Sequence, residues 1–170
     1  MKAVAVAATA GVSEALRRKV TAFVVHAGRD GRPQLLVHWF VAHPHQSWRA
    51  PGGSIDAGET AEQALLRELG EEAGLDHLPG LTVIRRLGVQ RYYKSYIQAV
   101  VERHDYLLRV SVGAPGAWTH VVRGKGDDAG QHLGFRWIGP EDLARVDTEH
   151  AVWLRPDYIP EFFGLNPSRP

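Results

Sequence analysis

Gly53-Ser54-Ile55-Asp56-Ala57-Gly58-Glu59-Thr60-Ala61-Glu62-Gln63-Ala64-Leu65-Leu66-Arg67-Glu68-Leu69-Gly70-Glu71-Glu72-Ala73-Gly74-Leu75 holds both the clearest helix signal of the chain and its oddest charge pattern. Thr60 with Gln63 three residues on is a capping box, Glu62 suits the first turn, and Gly74 suits a left-handed stop, so the spacing predicts a helix from Ala61 to Ala73. At 100° per residue Glu68, Glu71 and Glu72 share a sector of roughly 100°, and Leu65, Leu66, Leu69 and Ala73 take the neighbouring side. Like charges at these spacings repel by a few tenths of a kcal/mol per pair, and acids late in a helix oppose its dipole. Gly70 adds about 1 kcal/mol of lost propensity relative to Ala. A solvated acidic face is the plain reading of three glutamates, but local choices that lower stability without visible compensation point to a site, and a bound cation is the simplest compensation. Oxygen-only donors suit magnesium or manganese better than zinc.

Outward from the helix, Val20 to His26 and Gln34 to Val41 read as a hairpin about Gly28-Arg29-Asp30-Gly31. Ala42 to Ala50 reads as an irregular loop running into the sharp Pro51-Gly52-Gly53 feature. Leu81 to Gln90 and Gln98 to Val110 read as strands joined near Tyr92, Tyr93 and Tyr96. Ser111 to Gly130, rich in Gly, Pro and Asp, reads as a long mobile loop, followed by a strand from Gln131 to Ile138 and a helix start at Gly139-Pro140-Glu141-Asp142-Leu143. Strands before and after helices argue for an α/β or α+β layered domain with a mixed sheet and no internal repeats. We expect one domain over residues 1–170, with residues 1–18 a loose N-terminal extension and Met1 to Ala8 within it an edge strand or loose terminus. The tail from Trp153 is expected to pack on the core or, second, to form a dimer contact.

The 170 residues are 44% hydrophobic and carry 20 Lys and Arg against 19 Asp and Glu, so no overall field would recruit nucleic acid or an acidic membrane. The absence of cysteine excludes disulfides, thiolate ligands and a cysteine nucleophile. Met1 to Ala8 has one lysine and a short Ala-rich run, a poor signal peptide, and no apolar stretch nears the roughly 20 residues that span a bilayer, so a soluble cytoplasmic protein is expected.

Residues Gly53 to Leu75 resemble the Nudix box, G-x5-E-x7-R-E-U-x-E-E-x-G-U with U aliphatic, and meet it at Gly53, Glu59, Arg67, Glu68, Leu69, Glu71, Glu72, Gly74 and Leu75. At ordinary residue frequencies its seven fixed identities arise by chance on the order of once in a hundred million placements. The resemblance implies a Nudix-type α/β/α sandwich and metal-dependent hydrolysis of a nucleoside diphosphate linked to another group. It implies magnesium, with manganese as an alternative, on Glu68, Glu72, Glu71 and the carbonyl of Gly52. Glu59 and Arg67 would support the loop against the helix, Arg67 as a planar fork that lysine would imitate poorly, and with Glu71 and Glu72 they form the expected catalytic set.

A general base in the family often comes from outside the box, where Glu102, Asp127, Asp128 and Glu141 all qualify. Glu102 and His104 share strand parity and are candidate substrate contacts together with Trp48, Arg49, Tyr92 and Tyr93; Trp48, Tyr92, Tyr93 and Trp118 could instead be ordinary packing aromatics. His38, His43 and His45 suit loop or substrate-contact roles better than zinc, which wants further ligands at fixed spacing. Arg91 stands where ADP-ribose-type members tend to carry proline, and Tyr92 and Tyr93 where dinucleoside polyphosphate hydrolases tend to carry tyrosine. The expected substrate is therefore an NTP or dinucleoside polyphosphate, with a nucleotide-sugar or ADP-ribose hydrolase and a non-catalytic nucleotide-binding regulator as alternatives. The partner is a small-molecule nucleotide, with no nucleic acid or membrane, and the protein a monomer or homodimer. An isoprenoid diphosphate isomerase on a related fold would want a catalytic cysteine, which is lacking.

Overall fold

The computed structural model describes residues 15–75, 80–111 and 116–165. Six strands, β1 (Ala15–Ala27), β2 (Pro33–Phe40), β3 (Leu81–Lys94), β4 (Ala99–Val110), β5 (Ala117–Val121) and β6 (His132–Ile138), form one sheet in the order β3-β4-β1-β2-β6-β5. The sheet is mixed: β1 runs parallel to β4, and every other neighbouring pair is antiparallel. Alternation along the strands divides the core between the two faces. Val20, Ala22, Val24, Leu36, Leu108 and Phe135 pack with Leu65 and Leu69 of helix α1 (Ala61–Ala73) on one side. Phe23, Val25, Leu35, Val37 and Leu107 pack on the other with Leu154, Ile159 and Phe162 from the C-terminal segment. Among the described residues no helix is long and apolar enough to cross a membrane.

Helix α1 has the bounds its sequence signals predict. The Thr60 hydroxyl accepts from the Gln63 N–H at 3.2 Å, and the Gln63 side chain accepts from the Thr60 N–H at 2.9 Å. Gly74 ends the helix at φ 69°, a conformation open to glycine at little strain.

A split in the sheet positions everything that follows. β1 and β2 pair only at Val25↔Leu35, His26↔Gln34 and Ala27↔Pro33, and then diverge. Residues 49–53 fill the gap: Ala22 N–H donates to the Pro51 carbonyl at 2.8 Å, Val20 N–H to the Gly53 carbonyl at 2.9 Å, and His38 N–H to the Arg49 carbonyl at 2.8 Å. The two-glycine segment that leads into the box is thereby held by main-chain bonds on both sides.

Several boundaries differ from the sequence reading. Residues 15–18 of the expected extension are already in β1, paired with Ala99 to Glu102; the readings for Met1 to Ala8 lie outside the described residues. β3 continues through Arg91 to Lys94, so Tyr92 and Tyr93 are strand residues, because β4 offers a ladder as far as Ala99. The expected loop Ser111 to Gly130 contains strand β5, whose Trp118 and His120 turn inward beside β6; a single alternating segment this short is easily lost among glycines. The expected helix after Gly139 is a 3-10 turn, Pro140–Arg145, ended where extended Val146 bridges Trp48, followed by a four-residue helix α2 (Thr148–Ala151). The second helical layer is therefore made of short turns rather than one long helix.

Candidate active site

Arg67 organises the loop ahead of α1. Its Nε and Nη2 donate to the two carboxylate oxygens of Glu59 at 2.9 Å each, and Nη2 also donates to the Ser54 carbonyl at 2.8 Å. Glu59 accepts in addition from the Asp56 N–H at 3.0 Å. The Arg67 hydrogen bond holds the Glu59 carboxyl below its ordinary pKa, and the same bond raises Arg67 further above its own. The remaining nitrogen, Nη1, lies 3.0 Å from Glu68 and 3.1 Å from Glu71. One guanidinium thus ties the loop to the acidic face of the helix, a planar task suited to arginine.

Glu72 and Glu68 are buried, at 3% and 8% exposure. Glu72 accepts from the Gly52 N–H at 2.8 Å. Burial pushes its carboxyl well above the ordinary range; the Gly52 N–H opposes this, and the negative charges of Glu68 and Asp128 add to it. Burial also raises Glu68, against Arg67, with Glu71 and Asp128 reinforcing the rise. Room for these carboxylates comes from missing side chains. A Cβ on Gly53 would stand 2.2 Å from the Glu68 carboxyl carbon, and one on Gly124, at φ 98°, would stand 2.4 Å from a Glu71 oxygen.

β5 and the segment after it close over the end of α1. Trp118 Nε1 donates to the Ala73 carbonyl at 3.0 Å, Arg123 Nη2 to the Gly70 carbonyl at 2.7 Å, and Arg123 N–H to the Glu71 carbonyl at 2.9 Å. The bonds to Glu71 and Ala73 satisfy carbonyls that a helix end leaves free, whereas the Gly70 carbonyl also accepts from the Gly74 N–H at 3.1 Å. They also bring Asp128 into the mouth of a cleft.

That cleft, of about 280 Å³, passes through the split between β1 and β2. Glu72, Gly52, Gly53 and Asp128 line it, together with Lys19, Arg49, Lys94 and Arg103 and with Tyr92, Tyr96, Glu149 and His150. Arg103 is 3% exposed and is fixed by Asp105 at 2.9 Å, which also accepts from Gln90 at 2.8 Å and Trp153 at 2.7 Å. His38 packs on Phe135 with ring centroids 5.5 Å apart, and its pKa is lowered to about 3 by burial and by Arg49.

The family model for the NUDIX domain matches residues 16–160. The chain belongs to the Nudix family. RNA pyrophosphohydrolase of Vibrio vulnificus (strain YJ016) is 54% identical over 41 residues, 24% of each chain. RNA pyrophosphohydrolase of Sphingopyxis alaskensis is 40% identical over 70 residues, 41% of this chain and 42% of that one. The chain therefore spans less than half the length of these curated relatives. Among solved structures, a C. elegans Ap4A hydrolase binary complex superposes with a TM-score of 0.62 at 18% identity, covering 87% of this chain and 96% of that one, a likeness of fold.

Within this Nudix domain the box residues Glu59, Arg67, Glu68, Glu71 and Glu72 come together with Gly52 and Gly53, and Arg49 and Tyr92 reach the cleft. Other expected substrate contacts stand elsewhere. Trp48 is 3% exposed in the core, with the Arg145 guanidinium 4.0 Å from its ring centroid, which corrects its reading as a substrate contact. Tyr93 points away, 53% exposed. Glu102 and His104 do share a face, but they pair with each other at 3.1 Å, Glu102 also pairs with Arg18 and Arg91, and neither residue lines the cleft, which corrects their reading as substrate contacts. Of β4 it is Arg103, one residue over, that lines the cleft. Lys94 has the parity of Tyr92 and was legible on that ground. Lys19 and Arg103 would need the β1–β4 register, and Glu149 and His150 the path of the C-terminal segment.

The acidic face suits a hard divalent cation: its side-chain donors are all oxygens, and burial and neighbouring negative charge disfavour the ionised form of Glu68 and Glu72, a cost that a bound cation would offset. Among the described residues no three His, Asp or Glu side chains converge on one point as they stand. Arg67 spreads Glu68 and Glu71 toward the loop while Gly52 holds Glu72, so a bound ion would have to draw them together.

Proposed function

We propose that this Nudix protein is a magnesium-dependent pyrophosphohydrolase acting on a nucleotide with a polyphosphate chain, an NTP or a dinucleoside polyphosphate. The observation that carries the reading is the buried pair Glu68 and Glu72, the latter opening onto a cleft that also presents Lys19, Arg49, Lys94 and Arg103. Negative donors for a cation and positive donors for phosphate oxygens share one space, which is what an anhydride between two phosphates requires.

Glu68, Glu71, Glu72 and the Gly52 carbonyl would hold Mg2+, or Mn2+ in its place. When bound, the ion neutralises phosphate oxygens and lowers the pKa of an attacking water. Arg49, Arg103 and Lys94 orient the phosphate chain, and Tyr92 and Tyr96 offer ring faces for a base. Of the four candidate acids Glu102, Asp127, Asp128 and Glu141, Asp128 lines the cleft with Glu72 and the other three do not. In this reading Asp128 takes the proton of the water as its oxygen bonds to phosphorus, and the bridging P–O bond breaks to release the other phosphate with its electron pair. Glu59 and Arg67 position the ligand helix.

A 5′-triphosphate end of RNA is a second substrate reading, favoured by the names of the curated relatives. The test is hydrolysis of NTPs, dinucleoside polyphosphates, nucleotide sugars and 5′-triphosphorylated RNA with Mg2+ and with EDTA. Metal-dependent release of phosphate or pyrophosphate from one class is expected. Inactivity across the panel would favour a nucleotide-binding regulator, a role that the intact Glu68, Glu71 and Glu72 do not require.

A further inference from the structure

In the cleft that Glu72 also lines, one side-chain oxygen gathers an unusual set of donors. Oε2 of Glu149 lies 2.9 Å from Lys94 Nζ and 3.9 Å from Arg103 Nη1, and it accepts from the Tyr92 hydroxyl at 3.2 Å. Lys94 and Tyr92 stand on β3 and Arg103 on β4, so these donors are set on two paired strands of the sheet. Arg103 is further locked by Asp105, and Lys94 Nζ rests 5.5 Å from the Tyr92 ring centroid and 5.6 Å from that of Tyr96. Two cations and a hydroxyl on rigid strands make an anion site before any ligand arrives.

The group that fills the site is held much less firmly. Glu149 belongs to the four-residue helix α2, and its side chain is 41% exposed. Its backbone is anchored separately: Arg103 Nη2 donates to its carbonyl, and its N–H donates to Asp147 at 2.9 Å. The carboxylate can therefore swing to solvent while α2 stays in place. A lone carboxylate oxygen is also a poor match for three converging donors, whereas a tetrahedral phosphate group offers several oxygens and more charge.

We infer that Lys94, Tyr92 and Arg103 form a phosphate subsite in the cleft and that Glu149 is its internal competitor, vacating it when a phosphate group enters. The inference rests on the polyphosphate reading above for the identity of the ligand, but not for the competition itself. Glu149 is a specificity-determining residue here. It sets how much negative charge a ligand must carry to displace it, and so disfavours ligands with a single phosphate.

The probe is inorganic tripolyphosphate, titrated calorimetrically in EDTA so that metal and turnover play no part. Glu149→Gln keeps the shape and removes the competing charge, and should bind tripolyphosphate roughly tenfold more tightly than the unsubstituted protein, a change of about 1.4 kcal/mol. The gain should vanish in the Lys94→Met, Glu149→Gln double variant. Glu149→Asp, which retracts the carboxylate by one methylene, should move in the same direction by less and serves if the Gln variant does not fold. Unchanged or weaker binding in both Glu149 variants overturns the inference, as does a gain that survives loss of Lys94. Tighter binding with no metal-dependent hydrolysis of any nucleotide would instead sink the proposed reaction and leave the competitor standing.

Discussion

Arg67 makes more of the site's contacts than any acid it touches: it meets Glu59 twice, Ser54, Glu68 and Glu71. Lysine could keep the charge but not the fork, so Arg67→Lys should lower kcat/KM by about 10- to 100-fold at saturating Mg2+. Activity within a factor of two of the parent would remove Arg67 from the positioning role. Glu72→Gln should behave oppositely for function and fold. As the loss of a proposed metal ligand it should remove most turnover, yet it relieves a buried charge that Glu68 and Asp128 oppose, while the amide oxygen can still accept from Gly52. Its metal-free melting temperature should be equal to or above that of the parent, and a clear drop would show that the Glu72 charge is structurally required.

Elements contribute through their ends. Helix α1 is legible because capping box, apolar stripe and left-handed glycine agree, and Thr60→Ala should reduce stability by about 1 kcal/mol in urea melts. Beyond the box the signals thin out. β5 is five residues in a glycine-rich stretch, and the last helical layer consists of turns too short for periodicity to register. The C-terminal segment is tied back by Glu161, which takes a two-pronged ion pair from Arg85 of β3. The Arg85 bond lowers the Glu161 pKa below its ordinary 4.5, so the carboxylate adds stability above that value and loses it as pH falls through the lowered one. With Arg85 37% exposed, Glu161→Gln should remove about 1 kcal/mol at pH 7 and progressively less below pH 4.5. An equal loss at pH 3 and pH 7 would assign the effect to packing.

On the scale of the whole molecule, the proposed function rests on a sheet that opens between β1 and β2 and is refilled by residues 49–53. The acidic platform could be read from Gly53 to Leu75 because its logic is local. The cationic end could not, since Lys19, Arg103 and Glu149 meet only through the register of β1 on β4 and the return of the C-terminal segment. Closing the split also buries His38 as a neutral ring, with its pKa near 3 against an ordinary 6.5. Between those values the unfolded chain takes up a proton that the folded chain refuses, so stability should fall as pH drops from 6.5 toward 3, by an amount on the order of a few kcal/mol. His38→Phe should flatten that slope, and an unchanged slope would place the acid sensitivity elsewhere. The central claim, that Glu68, Glu71 and Glu72 hold the metal, is tested most directly by Mn2+ binding followed by electron paramagnetic resonance in the parent and in Glu72→Gln. A saturable site in the parent, weakened roughly tenfold or more in the variant, is the predicted result. Equal binding by the two proteins, or none in the parent, would contradict it.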